Sequence, residues 1–166
     1  MTQSEETYLG WVKGAYFMTS RSLFYMAKGL IEELGPEKGK DVFINQIKKM
    51  GEGMGKQTRE YHDSLGKDRT MKEFLKDGFS DSSVYMHAWE GELKTLTKHE
   101  GIVDFTSCPY AEGFKVLGEE GVEIGELYCN HIDDAITQAY NPKYECVRSP
   151  SLNKDGLCTL HWKLKD

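Results

Sequence analysis

From residue 5 to residue 34 the apolar side chains Leu9, Val12, Tyr16, Leu23, Met26 and Leu30 recur near a 3.6-residue period, which commits this stretch to one long amphipathic helix. Gly35-Pro36 stops it, since glycine suits the position just past a helix and proline opens the first turn of the next. A second helix then runs to about Tyr61, with Val42, Ile44, Ile47, Met50 and Met54 as its stripe. Gly51, Gly53 and Gly55 interrupt it, each costing about 1 kcal/mol against alanine in a helix interior. That spacing reads as a locally frayed helix, as close helix packing, or as a flexible wall beside a pocket. Two long helices with one apolar face each must be covered by the rest of the chain.

Residues 62–68 form a polar break, and 71–76 read as a short helix. From Ser83 the period changes. Val84, Tyr85, His87 and Trp89, then residues 93–97, then 102–106, read as short strands of a meander with turns at Gly91 and Gly101. Helical spacing returns at 109–117 and again, as one helix, at about 120–139, which Asn141-Pro142 ends. Residues 144–148 and 157–163 read as strands joined by a polar loop. The expected class is α+β: N-terminal helices packed on a mostly antiparallel sheet, with further helices inserted before the C-terminal strands. At 166 residues, 1–166 is expected to be a single domain with one core.

The formal net charge is −6, and basic residues such as Lys48, Lys49, Lys56 and Arg59 are interleaved with acids. Nucleic-acid binding needs a concentrated basic surface, so no nucleic-acid partner is expected. No apolar run approaches the ~20 residues of a membrane-spanning helix, and the opening MTQSEETYLG is too acidic and polar for a secretory signal. A cytoplasmic protein with no membrane partner and reduced thiols is therefore expected. Phosphate-cradling glycine loops, G-x-S-x-G and H-E-x-x-H are all missing from the sequence.

All four cysteines (Cys108, Cys129, Cys146, Cys158) and two of the five histidines (His131, His161) fall between residues 104 and 163. Cys108 follows the strand-like IVDFTS and directly precedes Pro109, which places it at a helix N-cap. Unpaired N–H groups and the helix dipole there favour an anion, so a lowered thiol pKa and a usable nucleophile are expected. The alternative is a small buried cysteine at a strand end. Cys129 and Asp133, spaced i, i+4, share a helix face, with Glu126 on the same side. Ile132 and Ile136 make that face apolar, so Asp133 needs a partner or sits as an ion-paired or capping residue at the helix rim. His131 lies off this face. Cys158 alternates with Leu160 and Trp162 towards the core, and His161 points away. Cys146 carries no assignment. Zinc sites usually show a close ligand pair, and none exists here. A zinc or iron site would have to gather Cys108, Cys129 and Cys158 from separate elements.

The order DFTSCPYAE…LYCNHIDDAITQAYNP…GLCTLHW resembles the L-2-amino-thiazoline-4-carboxylic acid hydrolase family. Cys108, Tyr110, Ala111, Glu112, Cys129, Asp133, Asn141, Pro142 and Cys158 fall on the family pattern, and ELGPEKGKDVFINQIKKMGEGMGK is similar to the family's second helix. Thr159 departs from it, standing where an acidic residue follows the closing cysteine. The resemblance implies hydrolysis of a cyclic amidine-like C–N bond in a small-molecule substrate, with no organic cofactor. On that reading Cys108 attacks, Asp133 activates or orients water, and Cys129 lines the site or assists. The N–H groups of Tyr110 and Ala111 stabilise developing negative charge. Tyr110, Glu112, Asn141 and Cys158 contact the substrate. The late Gly-x-Cys strand is also similar to 4-vinyl-reductase-like domains. That gives the competing expectation: a non-catalytic sensor for a small ligand or a thiolate-bound metal. Tyr16, Met18, Tyr25 and Met26 on the first helix either serve a homodimer, close a pocket or pack in the core.

Overall fold

The computed structural model describes residues 3–79 and 84–165. Helices α1 (Gln3–Leu34) and α2 (Pro36–Ser64) form a hairpin about Gly35, whose φ of 83° lies where glycine alone is unstrained. After them come α3 (Met71–Phe79), α4 (Val84–Ala88), β1 (Gly91–Leu96), β2 (Gly101–Phe105), α5 (Pro109–Lys115), α6 (Gly118–Cys129), α7 (Ile132–Tyr140), β3 (Tyr144–Arg148), α8 (Leu152–Asp155) and β4 (Cys158–Leu164). The strands make one antiparallel sheet in the order β1-β2-β4-β3. The fold is α+β, as its periodicities indicate.

Three local expectations are corrected. Residues 84–88 are helical, where alternation suggested a strand; a run this short does not separate the two by period alone. The helix expected over 120–139 is two, parted at Asn130-His131. The loop before β4 contains the short α8.

Helix α2 is continuous through its three glycines and packs along α7. A Cβ at Gly51 would lie 2.8 Å from Ala135 Cβ and 2.9 Å from the Ile132 carbonyl oxygen, and one at Gly55 would run into the Ile136 carbonyl oxygen. Those two glycines set the close approach of α2 and α7. Gly53 meets nothing.

On β4, Cys158, Leu160 and Trp162 are buried as alternation requires. The opposite face is polar: Thr159 donates to Asp104 at 2.6 Å, and His161 Nε2 pairs with Glu100 at 2.8 Å. Two apolar clusters result. One joins the sheet to α3 and α7 through Val103, Phe105, Leu160, Trp162 and Tyr140. The other joins α1, α2, α5, α6 and α7 through Phe24, Phe43, Ile47, Phe114 and Ile132. On α1, Met18, Tyr25 and Met26 are exposed and so take no part in the core, whereas Tyr16 turns inward against Trp89. Among the described residues no helix is long and apolar enough to cross a membrane.

Candidate active site

A cavity of about 650 Å³ lies between the two clusters. Its walls are largely apolar, with Met54, Phe105, Ile132, Ile136, Leu160 and Trp162 among them. A series of rings forms one side: Tyr16 stands 4.6 Å from Trp89 and 5.2 Å from Tyr110, and Tyr110 stacks on Tyr128 at 5.1 Å. Into this space project Cys108, Cys129, Cys158, Asp133 and Arg148. Such a shape, apolar with a few convergent polar groups, is what small-molecule sites look like.

Cys108 is the N-cap of α5, with extended backbone (φ −153°, ψ 118°) and Pro109 in the first turn. The N–H groups of Ala111 and Tyr110 are directed towards its sulfur and favour the thiolate, without completing a full side-chain cap. The expected lowering of its pKa is not found. Burial pushes the thiol up to about 11, and the acidic neighbours Cys158 and Asp133 add to the rise. Desolvation thus outweighs two N–H dipoles. The resting group is a thiol. The same N–H groups serve the sulfur, whereas the sequence reading aimed them at a substrate oxyanion.

Asp133 lies in the first turn of α7, and its carboxyl hydrogen-bonds to no described residue. Burial raises it to about 6, against the opposing pull of the Arg148 charge. Cys129 closes α6, so it and Asp133 belong to different helices. The bonds Asn130 N–H to Glu126 O and His131 N–H to Tyr128 O keep the break tight, and both side chains still reach the cavity. Burial raises Cys129 well above its ordinary value, and raises Cys158 to about 11. His131 and Cys146 do not line the cavity.

Two expected substrate contacts lie elsewhere. Glu112 is exposed on the far side of α5 and accepts from Ser107 Oγ at 2.8 Å. Asn141 ends α7, donating to the Arg69 carbonyl at 2.7 Å and accepting from the Lys143 N–H, so its role is to fix the chain. Tyr110 and Cys158 do line the cavity. Thr159 projects from the outer face of β4, so the departure at that position does not touch the cavity wall.

The matched family model, described as L-2-amino-thiazoline-4-carboxylic acid hydrolase, spans residues 16–162, from the first cavity residue, Tyr16, to the last, Trp162. The chain belongs to this hydrolase family. No curated protein matches it. In fold it is similar to a trafficking protein particle complex subunit 3 from Naegleria fowleri, crystallised covalently bound to palmitic acid. The TM-score is 0.55 over 90% of this chain and 96% of that one, at 16% identity. At that identity the likeness is one of architecture.

Two cavity residues of this family member escaped the sequence reading. Arg148 ends β3 with Nη2 donating to Glu126 Oε2 at 2.8 Å and Asn130 Oδ1 at 2.6 Å, and Nη1 to Ser151 Oγ at 3.2 Å. Its Nε has no hydrogen-bond partner, and an unsatisfied buried donor costs about 1–3 kcal/mol. The signal was available: alternation puts Arg148 on the same face of β3 as the buried Tyr144. His62 is 1% exposed and bridges the Tyr140 hydroxyl at 2.9 Å and Asp77 at 3.1 Å. It reads as an ordinary mid-helix histidine, and nothing local marks it. Among the described residues no three His, Cys, Asp or Glu side chains are grouped to hold a metal ion. Cys108, Cys129 and Cys158 share the cavity without forming a ligand set.

Proposed function

We propose that the cavity hydrolyses a non-peptide C–N bond of a small cyclic amidine, of the thiazoline type, with Cys108 as nucleophile and Asp133 as its proton acceptor. The observation that carries this reading is Asp133, a carboxyl without a hydrogen bond to any described residue and raised to about 6 by desolvation, sharing one cavity with a thiol set at a helix N-terminus. A carboxyl near 6 accepts and returns protons at neutral pH.

In the first step Cys108 Sγ bonds to the amidine carbon as its proton passes to Asp133. The ring C–N bond then breaks, and the departing nitrogen takes that proton. Water next adds to the same carbon and the C–S bond to Cys108 breaks, restoring the thiol. One water is consumed, and the ring opens to an amine and a carbamoyl-type product. Moving the proton between groups at about 11 and about 6 costs roughly 7 kcal/mol. That fits within the roughly 16 kcal/mol barrier of an enzyme turning over ten times per second. A preformed thiolate is not required.

A second reading is favoured by the size and apolar walls of the cavity, which exceed what a single ring fills. The fold neighbour's covalent palmitic acid suggests a binding module in which Cys108 carries an acyl chain and no substrate is turned over. Two measurements separate the readings. Purified protein is given L-2-amino-thiazoline-4-carboxylate and ring opening is followed, with Cys108→Ala and Asp133→Asn alongside; loss of turnover in both supports hydrolysis. Turnover unchanged in Cys108→Ala overturns the nucleophile assignment. An acyl mass on Cys108 in intact-protein mass spectrometry, with no ring opening, selects the binding module.

A further inference from the structure

Helix α1 carries a second row of side chains, on the side turned away from its buried positions Ser20, Phe24 and Ala27. Trp11, Ala15, Met18, Ser22, Tyr25 and Gly29 follow one another in alternating steps of four and three residues, and all but the half-buried Gly29 are exposed. That 3.5-residue period is the one by which a helix presents a continuous seam to another helix. The seam itself carries no charged residue. Glycines in the interior of α1 add a second observation. Gly14 and Gly29 lie beside or on the seam, and each weakens the helix relative to alanine. A Cβ at either would meet nothing. Whereas Gly51 and Gly55 are required by the approach of α7, nothing among the described residues requires Gly14 or Gly29 to be small.

We propose that this seam docks a second copy of the chain, the two α1 helices lying antiparallel about a two-fold axis level with Ser20. The occupant is a helix because of the period, and it is this same helix because the seam is complementary to itself. In that register every large exposed side chain falls on a small one: Trp11 on the partner's Gly29, Met18 on the partner's Ser22, Tyr25 on the partner's Ala15 and Met26 on the partner's Gly14. A parallel pair would stack Trp11 on Trp11 and Ala15 on Ala15, layers alternately overfilled and empty. Arg21 falls opposite Thr19 and Lys28 opposite Val12, so like charges do not meet. Trp11, Met18, Tyr25 and Met26 are 57–73% exposed. Side chains of that size with their small neighbours offer about 600–800 Å² per copy, within the about 600–1,000 Å² per partner of a stable interface. Glu5, Glu6, Glu32 and Glu33 bracket the seam, which suits a protein partner and repels an anionic bilayer.

The test is sedimentation velocity of the full chain as wild type, Trp11→Glu and Gly29→Leu. The wild type is expected to run at twice the mass of the chain at micromolar concentration. Trp11→Glu sets a charge in the seam, and Gly29→Leu fills the space that the partner's Trp11 needs. Each should raise the dissociation constant by about 30-fold or more, the scale of a central aromatic anchor. Gly29→Leu meets nothing in its own chain and favours the helix, so circular dichroism and melting separate lost association from lost fold. The register is read with Ala15→Cys and Tyr25→Cys under oxidised glutathione, each scored against wild type. An antiparallel pair gives a new disulfide between copies only when the two variants are mixed. Cross-linking of either variant alone marks a parallel pair and overturns the arrangement, as does no new cross-link in the mixture. A wild type that is monomeric throughout the micromolar range, or a dimer that either seam variant leaves intact, overturns the surface. So does a monomer that binds phosphatidylcholine vesicles through Trp11, since a bilayer is then the occupant.

Discussion

Glu126 on α6 meets Arg148 at the end of β3, Oε2 to Nη2 at 2.8 Å, with the two side chains only 14% and 7% exposed. This pair ties the helical half of the molecule to the edge of the sheet, and it does so at the cavity wall. Seen from the sequence, Glu126 was merely an acid near Cys129, because its partner is 22 residues away in a different element.

Removing one partner of this pair is costly because the other charge stays buried. Glu126→Leu is expected to destabilise the fold by about 3–5 kcal/mol in urea unfolding, since Arg148 loses its counter-charge. The double variant Glu126→Gln/Arg148→Met should recover much of that loss. If the single and double variants are equally destabilised, the pair is not the source of the effect.

The glycines of α2 give a paired prediction of opposite sign. Gly55→Ala puts a methyl group into the Ile136 carbonyl, and separating α2 from α7 to admit it should cost about 1–3 kcal/mol. Gly53 faces open space in the same helix, so Gly53→Ala should stabilise by up to about 1 kcal/mol. Thermal melts of the two variants should move in opposite directions.

The contrast between those glycines also shows what a single sequence carries. The helical character of α1 and α2 and the alternation of Cys158, Leu160 and Trp162 were legible because burial on one face imposes a period, but the stripes themselves were misplaced: Met26, Met50 and Met54 are exposed, and Phe24, Ala27, Phe43 and Ile47 take the core positions. Cys108 was legible at its N-cap because Pro109 marks the first turn. Its pKa direction was not, since desolvation depends on Cys158, Asp133 and the cavity walls, all distant in the chain. Glu112 and Asn141 misled for a related reason. A pattern records that a residue type is needed at a position, and here the needs are a Ser107 contact and a chain stop. Arg148 and His62 depend on partners that only the fold supplies.

The thiols should accordingly be slow. With Cys108 raised to about 11 and Cys129 and Cys146 raised well above their ordinary values by burial, iodoacetamide alkylation at pH 7 should leave all three largely unmodified in folded protein. The rate at Cys108 should climb with pH through 9 and beyond. Residue-resolved mass spectrometry reads this directly. Rapid alkylation of Cys108 below pH 7 would mean that the two N–H groups outweigh burial, and that the thiolate is preformed.

Asp133 sets the sign of one pH dependence. Its folded value of about 6 is above the ordinary 3.8, so the folded state holds this proton more tightly than the unfolded chain does. The folded state is therefore not penalised below about pH 4, and its stability falls as pH rises from there through 6. The full penalty at neutral pH is about 3 kcal/mol. Asp63 and Asp77 act in the opposite sense: hydrogen bonds from Arg69 and Lys67 hold them below their ordinary value, and their contribution is lost as pH falls. The wild-type curve alone mixes these effects, so the Asp133 contribution is read as a difference. Asp133→Asn should be more stable than wild type at pH 7.5, and the gap should close by pH 4. A gap that stays constant across this range would place the carboxyl in water, and with it would go the case for Asp133 as the proton acceptor of the site.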